Sequence, residues 1–418
     1  MIADFVLRHA RPLLTCAGPA PKLGADLAQV TSVDDGALAS REGRLIFVGP
    51  TDVCDRLVER SAGATVIDAT GCSVLPGLVD PHTHAVFAGD RRDELQRRLA
   101  GATYAGIAAE GGGILKTVHA TRAASEEALA AASRPRLLEM LRQGTTTAEV
   151  KSGYGLTLAS ELTLLRAIRR LAGEQPLELS ATFMGAHEVP PEYRDDPAAY
   201  VALVVDEMIP AVAAAGLAEW NDVFCEEGVF TPGQAQQILD AGRRAGLIPR
   251  VHANELGPSG GVRVAAAVGA RSADHLVFLT DDDLALLAQA GVVATLLPAA
   301  SFYLKLGRFA PARRLIDSGV AVALGSDVNP GAGLSPSMPF VMTLACFGME
   351  LTFEEALNAA TINAAYSLDR HARIGSLEPG KQCDAVLVRG APVELLRAGA
   401  SPIEAVIKKG RIAWASGG

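Results

Sequence analysis

An alternation running through the middle of this chain constrains its fold more than any other feature. Short apolar stretches are each followed by a longer Ala/Leu/Arg-rich segment, and the stretches end near His84, Lys151, His187, Glu226, His252, His275, Pro298 and Asp327. The segments between them read as helices, for example Ser125 to Gln143 and Ser160 to Ala172. A series of strand–helix units implies a parallel sheet, because each crossover returns the chain to the same edge from which the last strand left. Roughly eight such units close into a barrel, and chemistry in such barrels collects at the C-terminal ends of the strands. The residues that end these stretches are mostly of the kinds that bind metals or move protons.

The two chain ends read differently. Phe5-Val6-Leu7, Leu45-Ile46-Phe47-Val48 and Thr65-Val66-Ile67 are short β-rich runs bounded by Gly, Asp and Pro. Ala385-Val386-Leu387-Val388 follows a turn at Glu378-Pro379-Gly380-Lys381. Ala405-Val406-Ile407 and Ile412-Ala413-Trp414 flank a turn with Gly410, the geometry of a tight hairpin. The economical arrangement is an α/β protein in which a (β/α)8 barrel is inserted in a small β-sandwich domain built from both termini. The expected boundaries are 1–74 and 371–418 for the sandwich and 75–370 for the barrel.

Length and charge narrow the function classes. The 418 residues with 49% hydrophobic content suffice for a barrel and an appendage. The net charge of −9 and the lack of a dense Lys/Arg tract argue against a nucleic-acid partner. None of the 6 cysteines forms a C-x-x-C pair, and in a chain this long they read as free thiols in a reducing compartment. Met1 to Ala10 lacks the order of a secretory signal. The apolar stretch Leu284 to Ala300, interrupted by Gln289, Gly291 and Pro298, fits a helix end, a turn and a buried strand better than a membrane span. The expectation is a cytoplasmic protein with no membrane partner.

The apolar run Val74-Leu75-Pro76-Gly77-Leu78-Val79-Asp80 leads into Pro81-His82-Thr83-His84. Side chains alternate along an extended chain, so His82 and His84 face the same side and one metal ion can take a nitrogen from each. His252 leaves the strand-like run Leu247 to Val251, His275 ends the next, and Asp327 ends Val320 to Ser326. Taken singly, each of these is equally a capping or core residue. Together, at strand ends of one barrel, they describe a site in which imidazoles and a carboxylate leave a divalent ion with positive charge and room for water. Such a water loses a proton near neutrality.

This constellation resembles the amidohydrolase superfamily, and within it the imidazolonepropionase family, from about residue 65 to residue 385. The carriers are Asp80 to Arg91, Glu110-Gly111-Gly112-Gly113-Ile114 and Ala120 to Ser125. Thr145 to Leu156, with its Lys-Ser-Gly-Tyr-Gly core, Gly185 to Tyr193, Ser272 to Leu276 and Asp327-Val328-Asn329-Pro330-Gly331 complete them. The resemblance implies a (β/α)8 barrel that opens the cyclic amide of 4-imidazolone-5-propanoate to N-formimino-L-glutamate with one divalent ion, zinc or iron. It implies His82, His84, His252 and Asp327 as ligands, and Glu255 and His275 as the proton-handling pair, with Asp327 also counted as catalytic. Arg91, Tyr154, His187, Glu255, Asn329, Gly331 and Ala332 would line a pocket for a small substrate with a carboxylate tail, which an Arg can bind through a bidentate fork.

Three positions depart from the family's usual pattern. Ala332 stands where Ser or Thr is usual, Asn254 where an acid is common, and Leu296-Leu297-Pro298-Ala299-Ala300 replaces a Leu-Leu-Pro-Gly-Ala pattern. Dinuclear relatives use a modified lysine at the fourth barrel strand. Cys225-Glu226-Glu227 occupies that place here, while Lys151 belongs to the second strand, so one metal is expected. Barrels of this type often pair, which allows a homodimer. The nearest rival reading is an aminohydrolase of the same superfamily acting on a cyclic amidine or nucleobase. A rival from another class is a non-catalytic barrel, which would be expected to have lost ligands.

Overall fold

A computed structural model describes residues 1–102, 106–107 and 110–417. The N-terminal stretch contributes β1 (Ile2–Ala10), β2 (Leu13–Leu14), β3 (Ser32–Val33), β4 (Gly36–Arg41), β5 (Arg44–Pro50), β6 (Glu59–Asp68) and β7 (Cys72–Pro76). The middle contributes β8 (Leu78–Asp80), β9 (Thr145–Lys151), β10 (Glu178–Ala186), β11 (Trp220–Cys225), β12 (Ile248–Ala253), β13 (Ser272–His275), β14 (Val293–Leu296) and β15 (Val322–Leu324). The C-terminal strands are β16 (Ala385–Arg389), β17 (Ile403–Lys408) and β18 (Arg411–Ala415).

The middle strands form an 8-stranded sheet in strict sequence order from β8 to β15, and the pairs are parallel. The expected barrel is therefore present, and each stretch ends within a few residues of its expected terminus. Period 2 divides the strands. Val150, Val223, Val251 and Ala273 join the apolar core shared with the helices. Their neighbours Glu149, Lys151, Asp222, Arg250 and Asp274 are fully buried on the other side.

Two further sheets are present. One runs β5-β4-β1-β6, and the other runs β18-β17-β16-β7-β2-β3. The second joins the two chain ends through antiparallel pairing of β16 with β7, from Ala385 opposite Pro76 to Arg389 opposite Cys72. Phe5, Leu7, Leu38 and Leu45 of the first sheet meet Val74, Ala385, Leu387 and Ile407 of the second in one buried cluster. The chain changes sheet at Gly77, where a Cβ would collide with Thr146. The segment between β2 and β3 leaves this layer: Cys16 and Leu27 pack in the barrel's core, and Asn358 Nδ2 donates to the Leu27 carbonyl at 2.8 Å.

All six cysteines are free. The helical run Pro197–Ala214 has the length and composition of a membrane span. Its Tyr200, Val201, Val204, Met208, Ile209 and Val212, however, are buried in the barrel's core.

Candidate active site

The C-terminal rim of the barrel gathers the strand-end residues. A nitrogen from each of His82, His84 and His252 lies within 4.8 Å of the other two, and all three residues are buried. His84 Nε2 is 3.3 Å from His252 Nε2. Asp327 Oδ1 stands 3.5 Å from His82 Nε2 and 3.6 Å from His84 Nε2. Two atoms of this set, His82 Nε2 and Asp327 Oδ1, are buried with no hydrogen-bond partner. Such orphaned groups are costly unless something takes their lone pairs. Three imidazoles and a carboxylate around one point match the donor set of a borderline divalent cation, so the residues present fit a metal.

Burial favours the neutral form of His82 and His84, the form that binds a metal. His82, His84 and His275 are pushed well below the ordinary histidine value, mainly by desolvation, and His187 falls to about 3 by burial and by His252 beside it. The carboxylates move the other way. Desolvation raises Asp327 to about 7, and burial, Asp327 and Glu226 raise Glu255 well above the usual range. The His275 and Asp327 backbones are left-handed, with φ of 75° and 50°. Non-glycine residues adopt that region at a cost, and such strain clusters at functional sites.

Beneath the three histidines lies a charged layer not singled out in the sequence. His82 Nδ1 is 2.6 Å from Asp274 Oδ2, and His252 Nδ1 is 3.1 Å from Asp222 Oδ2. A proton on His82 Nδ1 leaves its Nε2 as the lone-pair donor. Lys151 Nζ lies 2.8 Å from both Glu149 Oε1 and Asp222 Oδ2 and 4.0 Å from Asp274 Oδ2, while Arg250 Nη2 is 3.5 Å from Asp274 Oδ2. Burial works against charge on Lys151, but Asp222 and Glu149 keep its pKa above the lysine value. Burial likewise opposes charge on Asp222, and His252 with Lys151 holds it well below the usual carboxylate range. A signal for this layer existed: Glu149 is two residues before Lys151, and Arg250 two before His252, so charged groups recur on the inward face of otherwise apolar strands.

A cleft of about 570 Å³, part of it open to solvent, lies above the histidines. Its lining includes His84, Arg91, Tyr154, His187, His252, Glu255, His275, Asp327, Asn329 and Ala332, which brings together most of the residues expected from sequence. Ile114, Phe224, Leu256 and Leu304 add apolar walls that the sequence did not mark. The His187 ring stacks on His84 at 4.8 Å, and Tyr154 lies 5.2 Å from His187. His275 Nδ1 is 3.6 Å from Glu255 Oε1.

One residue departs from its expected place, and another has a second role. Gly331 is not in the lining: it stands behind Arg91, and a Cβ there would fall on the guanidinium. Asn329 reaches the cleft, but its side chain also organises its own loop. It accepts the N–H groups of Gly331 at 2.8 Å and Ala332 at 2.6 Å and donates to the Asp327 carbonyl at 2.8 Å. Glu226, at the end of the fourth barrel strand, accepts the N–H groups of Glu255 at 2.9 Å and Leu256 at 3.1 Å, a structural use of its carboxylate.

Comparison with known proteins places these features. Residues 73–413 match the model of the Amidohydrolase family. The chain is 48% identical over 411 residues to the imidazolonepropionase of Geobacillus kaustophilus, covering 97% of each. It is 50% identical to that of Symbiobacterium thermophilum, covering 98% of this chain and 97% of the relative. Among solved structures, a zinc-bound adenosine deaminase from Xanthomonas campestris superposes with a TM-score of 0.69 at 19% identity, over 98% of this chain and 93% of that one. Atrazine chlorohydrolase from Arthrobacter aurescens, also with zinc, gives 0.72 at 19%, over 98% and 94%. These two show a shared fold, whereas sequence similarity of this depth along nearly the whole chain shows closer kinship: the protein belongs to the imidazolonepropionase family of the amidohydrolases.

Proposed function

We propose that this enzyme hydrolyses the cyclic amide of 4-imidazolone-5-propanoate to N-formimino-L-glutamate, a step of histidine degradation. The reading rests on one observation above all: a buried guanidinium, Arg91, lines the same small cleft as the histidine cluster and the Glu255–His275 pair. A substrate with a carboxylate tail and a ring amide needs that combination. The identity with imidazolonepropionases supports it. A cytoplasmic location belongs to the same reading and suits the free cysteines.

A single divalent ion, zinc or iron, held by His82, His84, His252 and Asp327 would supply Lewis acidity, polarising a carbonyl and bringing a water's pKa toward neutrality. The protein's own groups do the rest. Arg91 takes the propionate and fixes the tail, while Tyr154, His187, Asn329 and Ala332 shape the space around the ring. Glu255 accepts the proton of the attacking water. Its raised pKa lets it hold that proton and return it to the ring nitrogen as the carbonyl–nitrogen bond breaks. His275, 3.6 Å away, supports the transfer. Water adds across one C–N bond, and the product keeps its amidine and two carboxylates on one chain.

The test is an ultraviolet assay of imidazolonepropionate consumption with and without a chelator. Consumption abolished by the chelator and restored by metal is the expected result. Ammonia release from a purine or pyrimidine panel, with no consumption of the imidazolone, would replace this reading with that of an aminohydrolase.

A further inference from the structure

Glu161 is a fully buried carboxylate in the first turn of the helix Leu158–Glu174, whose N-terminus is already capped by Thr157. Its bonds run outward to the preceding loop. Oε1 accepts the N–H groups of Gly155 at 2.7 Å, Leu156 at 2.9 Å and Gly153 at 3.2 Å, and Oε2 accepts that of Gly153 at 3.0 Å. From the opposite direction, Arg122 Nε donates to the Gly155 carbonyl at 2.7 Å and Nη2 to the Leu156 carbonyl at 3.3 Å. Arg122 Nη1 in turn pairs with Glu192. An anion thus gathers the donors of one short segment while a cation gathers its acceptors. Successive N–H groups converging on an anion form a nest, and an ionised partner makes each such bond stronger.

The gripped segment carries Tyr154. Its Gly153 carbonyl accepts from His187 Nδ1 at 3.1 Å, so the same grip reaches the second ring of that wall. Local preference alone does not hold this shape: Gly153 has φ +99° and Leu156 φ 53°. A Cβ on Gly153 would also stand 3.0 Å from His187 Nδ1. Neither Glu161 nor Arg122 lines the cleft, whereas Tyr154 and His187 both do.

We propose that Glu161 and Arg122 are positioning residues, a clamp that fixes Tyr154 and His187 as the substrate-facing wall without touching the substrate. The proposal deepens the reading of the enzyme as an imidazolonepropionase and rests on it. It also gives Arg122 and Glu192 a use: both lie in sequence motifs that the reaction itself leaves unexplained.

The variants are Glu161→Gln, Arg122→Ala and Arg122→Lys. Glutamine keeps the size of Glu161 but turns one acceptor oxygen into a donor facing backbone N–H, a milder change than truncation. For Glu161→Gln and Arg122→Ala, KM for imidazolonepropionate is expected to rise about tenfold, the size of one or two lost hydrogen bonds, with kcat falling by less than about threefold. Metal content should be unchanged. Hydrogen exchange should accelerate in the peptide around 152–157 and not in the barrel strands. Arg122→Lys, which keeps one charged donor, should recover part of the loss. Unchanged KM with unchanged local exchange overturns the clamp. So does exchange that rises throughout the barrel with kcat and KM worsening together, the mark of general destabilisation. If the wild-type enzyme does not consume imidazolonepropionate, the proposed reaction fails, and the exchange pattern still decides whether the clamp holds its loop.

Discussion

The backbone N–H of Asp327 donates to the carbonyl of His82 at 2.9 Å. The N–H of His84 donates to the carbonyl of Val328 at 3.0 Å, and Asp80 Oδ1 accepts from Ser326 N–H at 2.9 Å. β8 and β15 are the two ends of the eight-stranded order. These bonds, just beyond the strand ends, draw the first and last strands together at the rim. His82, His84 and Asp327, which take part in closing the barrel there, also supply side chains of the histidine–aspartate cluster. Closing the fold and setting the spacing of the cluster are therefore one event, and a metal held between them would tie the seam further.

His82→Ala should lose metal and activity together, since a four-ligand site missing one donor binds far more weakly. Asp274→Asn should keep the ligand but loosen it, because the carboxylate 2.6 Å from His82 Nδ1 fixes that ring. An outer partner of this kind typically contributes about 10–100-fold in affinity. Metal analysis after dialysis, followed by chelator competition, measures both. Full occupancy in His82→Ala would refute the ligand set, and wild-type affinity in Asp274→Asn would refute the support.

Glu255→Gln should retain metal and bind substrate while turnover falls about 10²–10⁴-fold, the usual contribution of a general acid–base group. Glutamine fills the same volume but cannot accept the water's proton. Steady-state kinetics on metal-replete protein decide the matter. Unchanged kcat would move the proton transfer to His275.

Arg91→Met should weaken binding of the propionate-bearing substrate by roughly 1.5–3 kcal/mol, the loss of a charge-assisted contact. Gly331→Ala should act in the same direction. The φ of Gly331 is not left-handed, so its backbone tolerates alanine, and the penalty comes from the Cβ displacing the guanidinium. A tail-less imidazolone, where it reacts, should not distinguish these proteins from wild type. Equal losses on both substrates would show that Arg91 supports the loop rather than the tail.

Glu178, at the start of β10, links the barrel to the C-terminal strands. Burial opposes its charge, but Arg373 and Lys408 hold it down to about 2. Arg373 Nη2 lies 2.5 Å away and Lys408 Nζ 3.3 Å. A folded pKa below the unfolded value of 4.5 gives stability that is fully present above pH 4.5 and is lost as pH falls toward 2. The shift corresponds to roughly 3–4 kcal/mol at most. The Tm gap between wild type and Glu178→Gln should therefore be widest near neutrality and narrow on acidification below 4.5. A gap that is constant from pH 7 to pH 3 would contradict the linkage.

Much of the site was legible because period 2 and strand ends are local properties. His82 and His84 share a face by spacing alone, and His252, His275 and Asp327 end apolar runs. The supporting layer was less legible. The inward positions of Glu149, Lys151 and Arg250 follow from alternation, but their partners do not. Asp274 meets a histidine 192 positions away, and Asp222 meets one 30 positions away. Nothing local to Glu161 shows that a loop curls around its carboxylate.

The sequence by itself determined the alternation of strands and helices, the faces on which the histidines stand, and the chain ends' commitment to β structure. These depend on side-chain periodicity and turn chemistry within a few residues. Only the tertiary structure decided which carboxylate orients which imidazole, that Gly331 makes room for Arg91, and that Glu161 and Arg122 grip one loop from two sides. Those relationships arise where closing the barrel brings distant strand ends to the same rim. There, the low dielectric and the cost of unpaired polar groups select the partners.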